Sequence, residues 1–191
     1  MIQLTKREIT ERYAGQIFGV FWAFFHPIFL VSLYVFVFAF VFKQKIGGTI
    51  DMPLDYTTYI LSGLVVWLSF QESLSKSCTS ITSNSSLVKQ VVFPLEVLPI
   101  KTAIASLVPL LISLLILFLY VLFTNGHLPL TYVFIPFLLF FQFIMMSACA
   151  YLLSSIGVYA RDIKDIVQVL VVAGIYLLPV FYLPSWVPPL F

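Results

Sequence analysis

Apolar residues run almost unbroken through five stretches of this chain, at about Val20–Phe42, Tyr56–Leu74, Thr102–Phe123, Leu130–Val158 and Ile166–Leu183. A helix rises about 1.5 Å per residue, so about 20 such residues cross roughly 30 Å of hydrocarbon. A segment in lipid must satisfy its backbone hydrogen bonds internally, as a helix or a closed barrel does. The apolar positions are continuous and do not alternate every second residue, which selects helices over a barrel. The third and fourth stretches are parted by Thr124-Asn125-Gly126-His127-Leu128-Pro129, a run of turn chemistry. Pro27, Pro109, Pro136 and Pro179 fall inside the stretches or near their ends, where kinks are expected. The predicted fold is all-α: a polytopic bundle of five membrane spans.

Composition agrees. Of 191 residues 61% are apolar and 9% charged, against roughly 45–50% and 25% in soluble domains. Eighteen charged side chains are too few to cover a small globular surface, which argues against a soluble enzyme or a disordered chain. Two cysteines, Cys78 and Cys149, are too few for a disulfide scaffold. The charges cluster, leaving 30 uncharged residues between Arg12 and Lys43, 59 between Lys101 and Arg161, and 26 after Asp165.

Their placement predicts an orientation. With the N-terminus inside, Lys6, Arg7, Arg12, Lys76, Lys89, Lys101, Arg161 and Lys164 are cytoplasmic, and only Lys43 and Lys45 are outside. The positive-inside rule therefore puts the N-terminus in the cytoplasm. The polar first twelve residues argue against a removed signal peptide, and there is no basic cluster suited to nucleic acid. Five spans put the two ends on opposite sides, and Pro188-Pro189-Leu190-Phe191 reads as an unfinished end; a genuine five-span protein is the alternative.

No catalytic or metal constellation stands out. There is no G-x-x-x-x-G-K-[ST] phosphate loop and no C-x-x-C. His26 and His127 lie near opposite predicted membrane faces and read as interfacial residues. No charge falls in the middle of a span, where ion-coupled carriers usually keep one. Energy for any uphill transport is therefore expected from a partner.

Two predicted cytoplasmic segments suit contact with another protein. The first runs from Ser75 to Lys101, with Asn84 or Ser85 as candidate helix caps and Pro94 as a stop. Leu87, Val88, Val91 and Phe93, edged by Lys89 and Glu96, suit a short helix docking in a groove; lying on the bilayer is the alternative. The second, Tyr159–Asp165, carries Arg161, Asp162, Lys164 and Asp165, which either form local ion pairs, set the ends of the flanking helices, or contact a partner. Nearer the membrane middle, the polar-tipped Tyr34, Trp67, Gln142 and Tyr176 are candidates for lining a channel or for interhelical packing.

The run from Asn84 to Pro99, N-S-S-L-V-K-Q-V-V-F-P-L-E-V-L-P, resembles the coupling segment of type-2 ABC exporter permeases for polysaccharides (O-antigen, capsule and teichoic acid). Arg7 to Pro27 resembles their amphipathic N-terminal helix running into the first span, and Arg161–Ile163 with Leu178–Tyr182 resembles the turn and outer end of their last two matched spans. Asn is common in that family where Gly157 stands, and Arg where Leu95 stands. The resemblance implies a single permease domain that lacks a sixth, C-terminal span and has no nucleotide-binding domain. It implies a second permease copy and a separate ATPase subunit that carries ATP, with no cofactor on this chain. It also implies a lipid-linked glycan as cargo and a place in the bacterial cytoplasmic membrane. Asn84, Leu87, Lys89, Phe93, Pro94, Glu96, Arg161 and Asp162 are then the ATPase-coupling candidates. A type-2 permease for drugs or lipids and a non-transporting membrane scaffold are the alternatives.

Overall fold

A computed structural model describes residues 10, 15–41, 55–85 and 94–181. Among these residues the regular structure is helical throughout, as the apolar pattern predicts. The helices are α1 (Trp22–Val35), continued by a π-helical turn over Phe36–Val41, α2 (Tyr56–Ser77), α3 (Val97–Asn125), α4 (Ile135–Tyr159) and α5 (Ile163–Leu177). Two of them, over Val97–Thr124 and Leu130–Tyr159, are each long and apolar enough to cross a membrane.

α2 is the centre of the bundle and packs against all four other helices. That explains why it is the least apolar of them: Thr57, Thr58, Ser69, Ser73 and Ser77 are buried against neighbours, not shown to lipid. One core cluster joins Val31 of α1, Leu61 and Val65 of α2, and Leu110, Leu117 and Val121 of α3. A second joins Cys78 to Val167 and Val171 of α5, with Trp67, Leu74, Leu153 and Ile163 packed around it.

The outward faces are oily. Phe137, Leu138, Phe141, Ile144 and Leu152 of α4, and Val169, Leu170 and Val172 of α5, are all exposed. A water-soluble monomer rarely shows so large an apolar surface. With lipid as the solvent, this surface needs no further cover.

Helix ends depart from the predicted spans for local reasons. α3 begins at Val97, five residues before the predicted start, because Pro99 falls in its first turn, where no N–H is required. Pro136 likewise sits at the start of α4. α5 stops at Leu177, short of the predicted Leu183, because Leu178 precedes Pro179 and is held extended at ψ 146°. Gly126 closes α3 in the left-handed conformation, φ 70°, which glycine adopts without a steric penalty.

At the end of the bundle where α2 begins, the Asp55 carboxylate accepts hydrogen bonds from Thr58 Oγ1 and, at 3.0 Å, from Tyr120 Oη of α3. Tyr56 and Tyr59 donate to the carbonyls of Phe181 and Pro179 at 2.8 and 2.9 Å, tying the chain beyond α5 to the start of α2. Tyr120→Phe is expected to cost about 1.5–3 kcal/mol, the range for a bond to a charged acceptor. Thermal unfolding in detergent checks this; a wild-type melting curve would show that the α2–α3 tie at Asp55 is idle.

Candidate functional site

The opposite end of the bundle gathers the end of α2, the start of α3, the end of α4 and the start of α5. Small side chains allow the close approach. Ser69, Ser73 and Ser77 recur every fourth residue along one face of α2, facing Thr102 and Ser106 of α3. Ser69 Oγ donates to the Ser106 carbonyl at 2.9 Å, and the Ser77 and Thr102 hydroxyls lie 3.3 Å apart. Both spacings were present in the sequence; the sequence reading did not single them out as an interface.

Beyond α2 the polar run Cys78–Asn84 folds back on itself through its own hydroxyls. Ser80 Oγ donates to the Ser77 carbonyl (3.0 Å) and Ser83 Oγ to the Thr79 carbonyl (2.7 Å). Asn84 ends a short 3₁₀ turn over Thr82–Asn84. Its Nδ2 donates to the Ser80 carbonyl at 2.8 Å, and Oδ1, the atom a helix cap would use, accepts from Lys101 Nζ at 3.2 Å.

α4 reaches this end by touching backbone. A Cβ built on Gly157 would stand 2.0 Å from the Cys78 carbonyl oxygen, so only glycine fits there without movement. Cys78 is 2% exposed and its Sγ donates to the Leu74 carbonyl at 3.3 Å. Burial pushes the thiol above its ordinary pKa, against a smaller opposing effect of its own backbone N–H.

The coupling candidates among the described residues fall into three groups. Asn84 is turned inward and bonded. Pro94 and Glu96 are exposed with Leu95 between them, on a turn in which Val97 N donates to the Pro94 carbonyl and Leu98 N to the Leu95 carbonyl, leading directly into α3. Arg161 and Asp162 are exposed between α4 and α5; they form no ion pair among the described residues, and the Asp162 carbonyl accepts from Asp165 N and Ile166 N to open α5. Leu87, Lys89 and Phe93 lie outside the described residues.

The four channel candidates occupy different surroundings. Gln142 Nε2 donates to the Val66 carbonyl at 3.4 Å, between α4 and α2. Trp67 lies against Gly174 of α5, where an added Cβ would stand 2.6 Å from the indole ring. Tyr34 packs against the α1–α2–α3 core and stacks on Phe38. Tyr176 is 70% exposed beside Phe181. A cavity of about 290 Å³ lies between α1 and α3, lined by Ser32, Val35, Phe36, Phe40, Ile116, Leu119 and Tyr120, and none of the four candidates lines it. Among the described residues no cluster of His, Cys, Asp and Glu has the makings of a metal site.

Comparison with known proteins bears on this arrangement. The family described as ABC-2 type transporter matches residues 1–191. An O-antigen export system permease protein RfbA of Klebsiella pneumoniae is 24% identical over 193 residues, covering 100% of this chain and 71% of that one. Another, from Myxococcus xanthus, is 29% identical over 183 residues, covering 95% of this chain and 67% of its own.

Proposed function

The chain belongs to the ABC-2 type transporter family, and from that premise we propose that it is the membrane permease subunit of an ATP-driven exporter of a lipid-linked polysaccharide. It is an integral membrane protein and a transporter chain, not an enzyme. The observation that carries the substrate class is the similarity, over 100% and 95% of this chain, to two permeases named for O-antigen export. In this reading ATP is bound and hydrolysed on a separate ATPase subunit, no cofactor is held by this chain, and two permease copies enclose the path of the glycan. The membrane is the bacterial cytoplasmic membrane, with the N-terminus and the Ser77–Lys101 end of the bundle facing the cytoplasm; the excess of Lys and Arg at that end supports this orientation.

The mechanism follows from what each end offers. The exposed Pro94-Leu95-Glu96 turn is one covalent step from α3, so a force on it acts on a helix that spans the bilayer. An ATPase dimer that closes on ATP binds one arrangement of this turn better than the other, and that difference in binding free energy biases the helices between two states. Aromatic rings offer apolar faces to sugar rings, and Tyr or Trp adds a hydrogen-bonding tip. Of the four channel candidates, Tyr34, Trp67 and Gln142 pack between helices, and the exposed Tyr176 is the one proposed to meet the cargo.

Glu96→Ala and Phe93→Ala are expected to leave ATP hydrolysis within about twofold of wild type while lowering export by about tenfold or more. Proteoliposomes holding the permease and its ATPase, assayed for hydrolysis and for glycan translocation, check this. Normal export by both variants would remove the Asn84–Pro99 segment from the coupling path.

A further inference from the structure

Lys101 is a cation in an unusual place. Its side chain is only 5% exposed, and it sits five residues into α3, towards the positive end of that helix's dipole. Burying an ammonium is costly unless acceptors surround it. Nζ donates to Asn84 Oδ1 at 3.2 Å, across 17 residues of chain. Those two residues bracket the segment proposed above to receive the ATPase. The neighbouring bonds run the same way: Asn84 Nδ2 to the Ser80 carbonyl, Ser80 Oγ to the Ser77 carbonyl, and the Ser77 hydroxyl beside that of Thr102. A continuous hydrogen-bonded path thus joins the end of α2, the 3₁₀ turn and the first turns of α3.

We propose that Lys101 and Asn84 form a clasp that closes the base of the coupling segment and fixes the 3₁₀ turn after α2 to the first turns of α3, so that a push on that segment moves the packed α2–α3 pair instead of bending the turn. Both are positioning residues: neither is on the exposed turn, and each acts by holding what is. Without the clasp, the 3₁₀ turn is free to yield, so part of a push on the segment is lost in bending that turn and does not move the α2–α3 pair, which the Ser69–Ser106 seam holds together. The transmission role rests on the exporter reading; the clasp itself is a property of the folded chain.

The experiment separates the two. Hydrogen exchange of the full chain in lipid nanodiscs, without ATPase, is measured at the amides of Thr82–Ser85 and Leu95–Leu98. Lys101→Met and Asn84→Ala are expected to speed exchange there by about tenfold while α4 exchanges as in wild type, since the opening is local. Lys101→Arg keeps a donor for Asn84 Oδ1 and is expected to restore protection. In proteoliposomes with the ATPase, Lys101→Met is expected to hydrolyse ATP normally but to export about tenfold less glycan per ATP. The Asn84→Ala, Lys101→Met double variant is expected to lose less than the sum of the two single ones, as residues that share a contact do. Unchanged exchange in Lys101→Met and Asn84→Ala would overturn the clasp. Faster exchange with normal export per ATP would overturn the transmission role. Absence of ATPase stimulation and export by the wild type itself would sink the exporter reading, while the exchange data would still judge the clasp.

Discussion

Gly157→Ala is expected to push the end of α4 off the end of α2, lowering stability by about 1–3 kcal/mol, the usual cost of overpacking a filled site. A Cβ there would stand 2.0 Å from the Cys78 carbonyl oxygen. That neighbour is backbone, fixed by the last turn of α2, so no rotamer change relieves the clash. Gly157→Asn is expected to be worse because the larger side chain needs the same space. Two measurements check it. Thermal unfolding in detergent reports the loss of stability. Labelling by a maleimide in a Cys149→Ser background reports the geometry, because Cys78 lies 2% exposed beneath this contact and its raised pKa slows its reaction further. The variant is expected to label several-fold faster than the parent. A wild-type melting temperature with Cys78 still protected would show that the two helix ends are not in contact.

The same contact illustrates where sequence reading succeeds and where it stops. The five apolar stretches located the five helices because lipid leaves the backbone few options. Their ends were harder. The third apolar stretch begins at Thr102, after the charge of Lys101, yet the missing N–H of Pro99 is harmless in a first turn, and α3 runs back to Val97. Leu178 before Pro179 did signal an end for α5, and the apolar run through Leu183 masked it. Which faces meet was less legible still. An amide such as Gln142 in an apolar span needs a partner, but nothing in the sequence names the Val66 carbonyl. Trp67 was singled out for its polar tip, whereas its ring is what meets Gly174 on α5. Asn84 and Lys101 were both noticed, one as a candidate cap and one as a cytoplasmic charge. Their bond depends on the direction in which the chain returns after 17 residues, and no local pattern encodes that.

α2 carries the remaining lesson, and the second large effect. Ser73→Leu is expected to separate α2 from α3 and cost at least the 1–3 kcal/mol of overpacking, whereas Ser73→Ala is expected to change stability by less than about 0.5 kcal/mol. Ser73 is fully buried, and its hydroxyl has no hydrogen-bond partner among the described residues. Its use is therefore its size: lipid supplies no hydrophobic drive for helices to associate, so close packing between small residues must do so. Ser69 differs, because its hydroxyl donates to the Ser106 carbonyl at 2.9 Å. Ser69→Ala should cost about 0.6 kcal/mol, up to about 1.7, the range for such bonds between membrane helices. Unfolding of the three variants in mixed detergent ranks them, and the order expected is leucine at 73 well below alanine at 69, with alanine at 73 at the wild-type level. Equal losses for Ser73→Ala and Ser73→Leu would mean that the α2–α3 seam is held by the hydroxyl and not by the space it leaves. With the seam pried open, the clasp at Asn84 and Lys101 also loses its platform, since α2 and α3 meet through this stripe. Export per ATP should then fall in Ser73→Leu even under conditions where the protein remains folded.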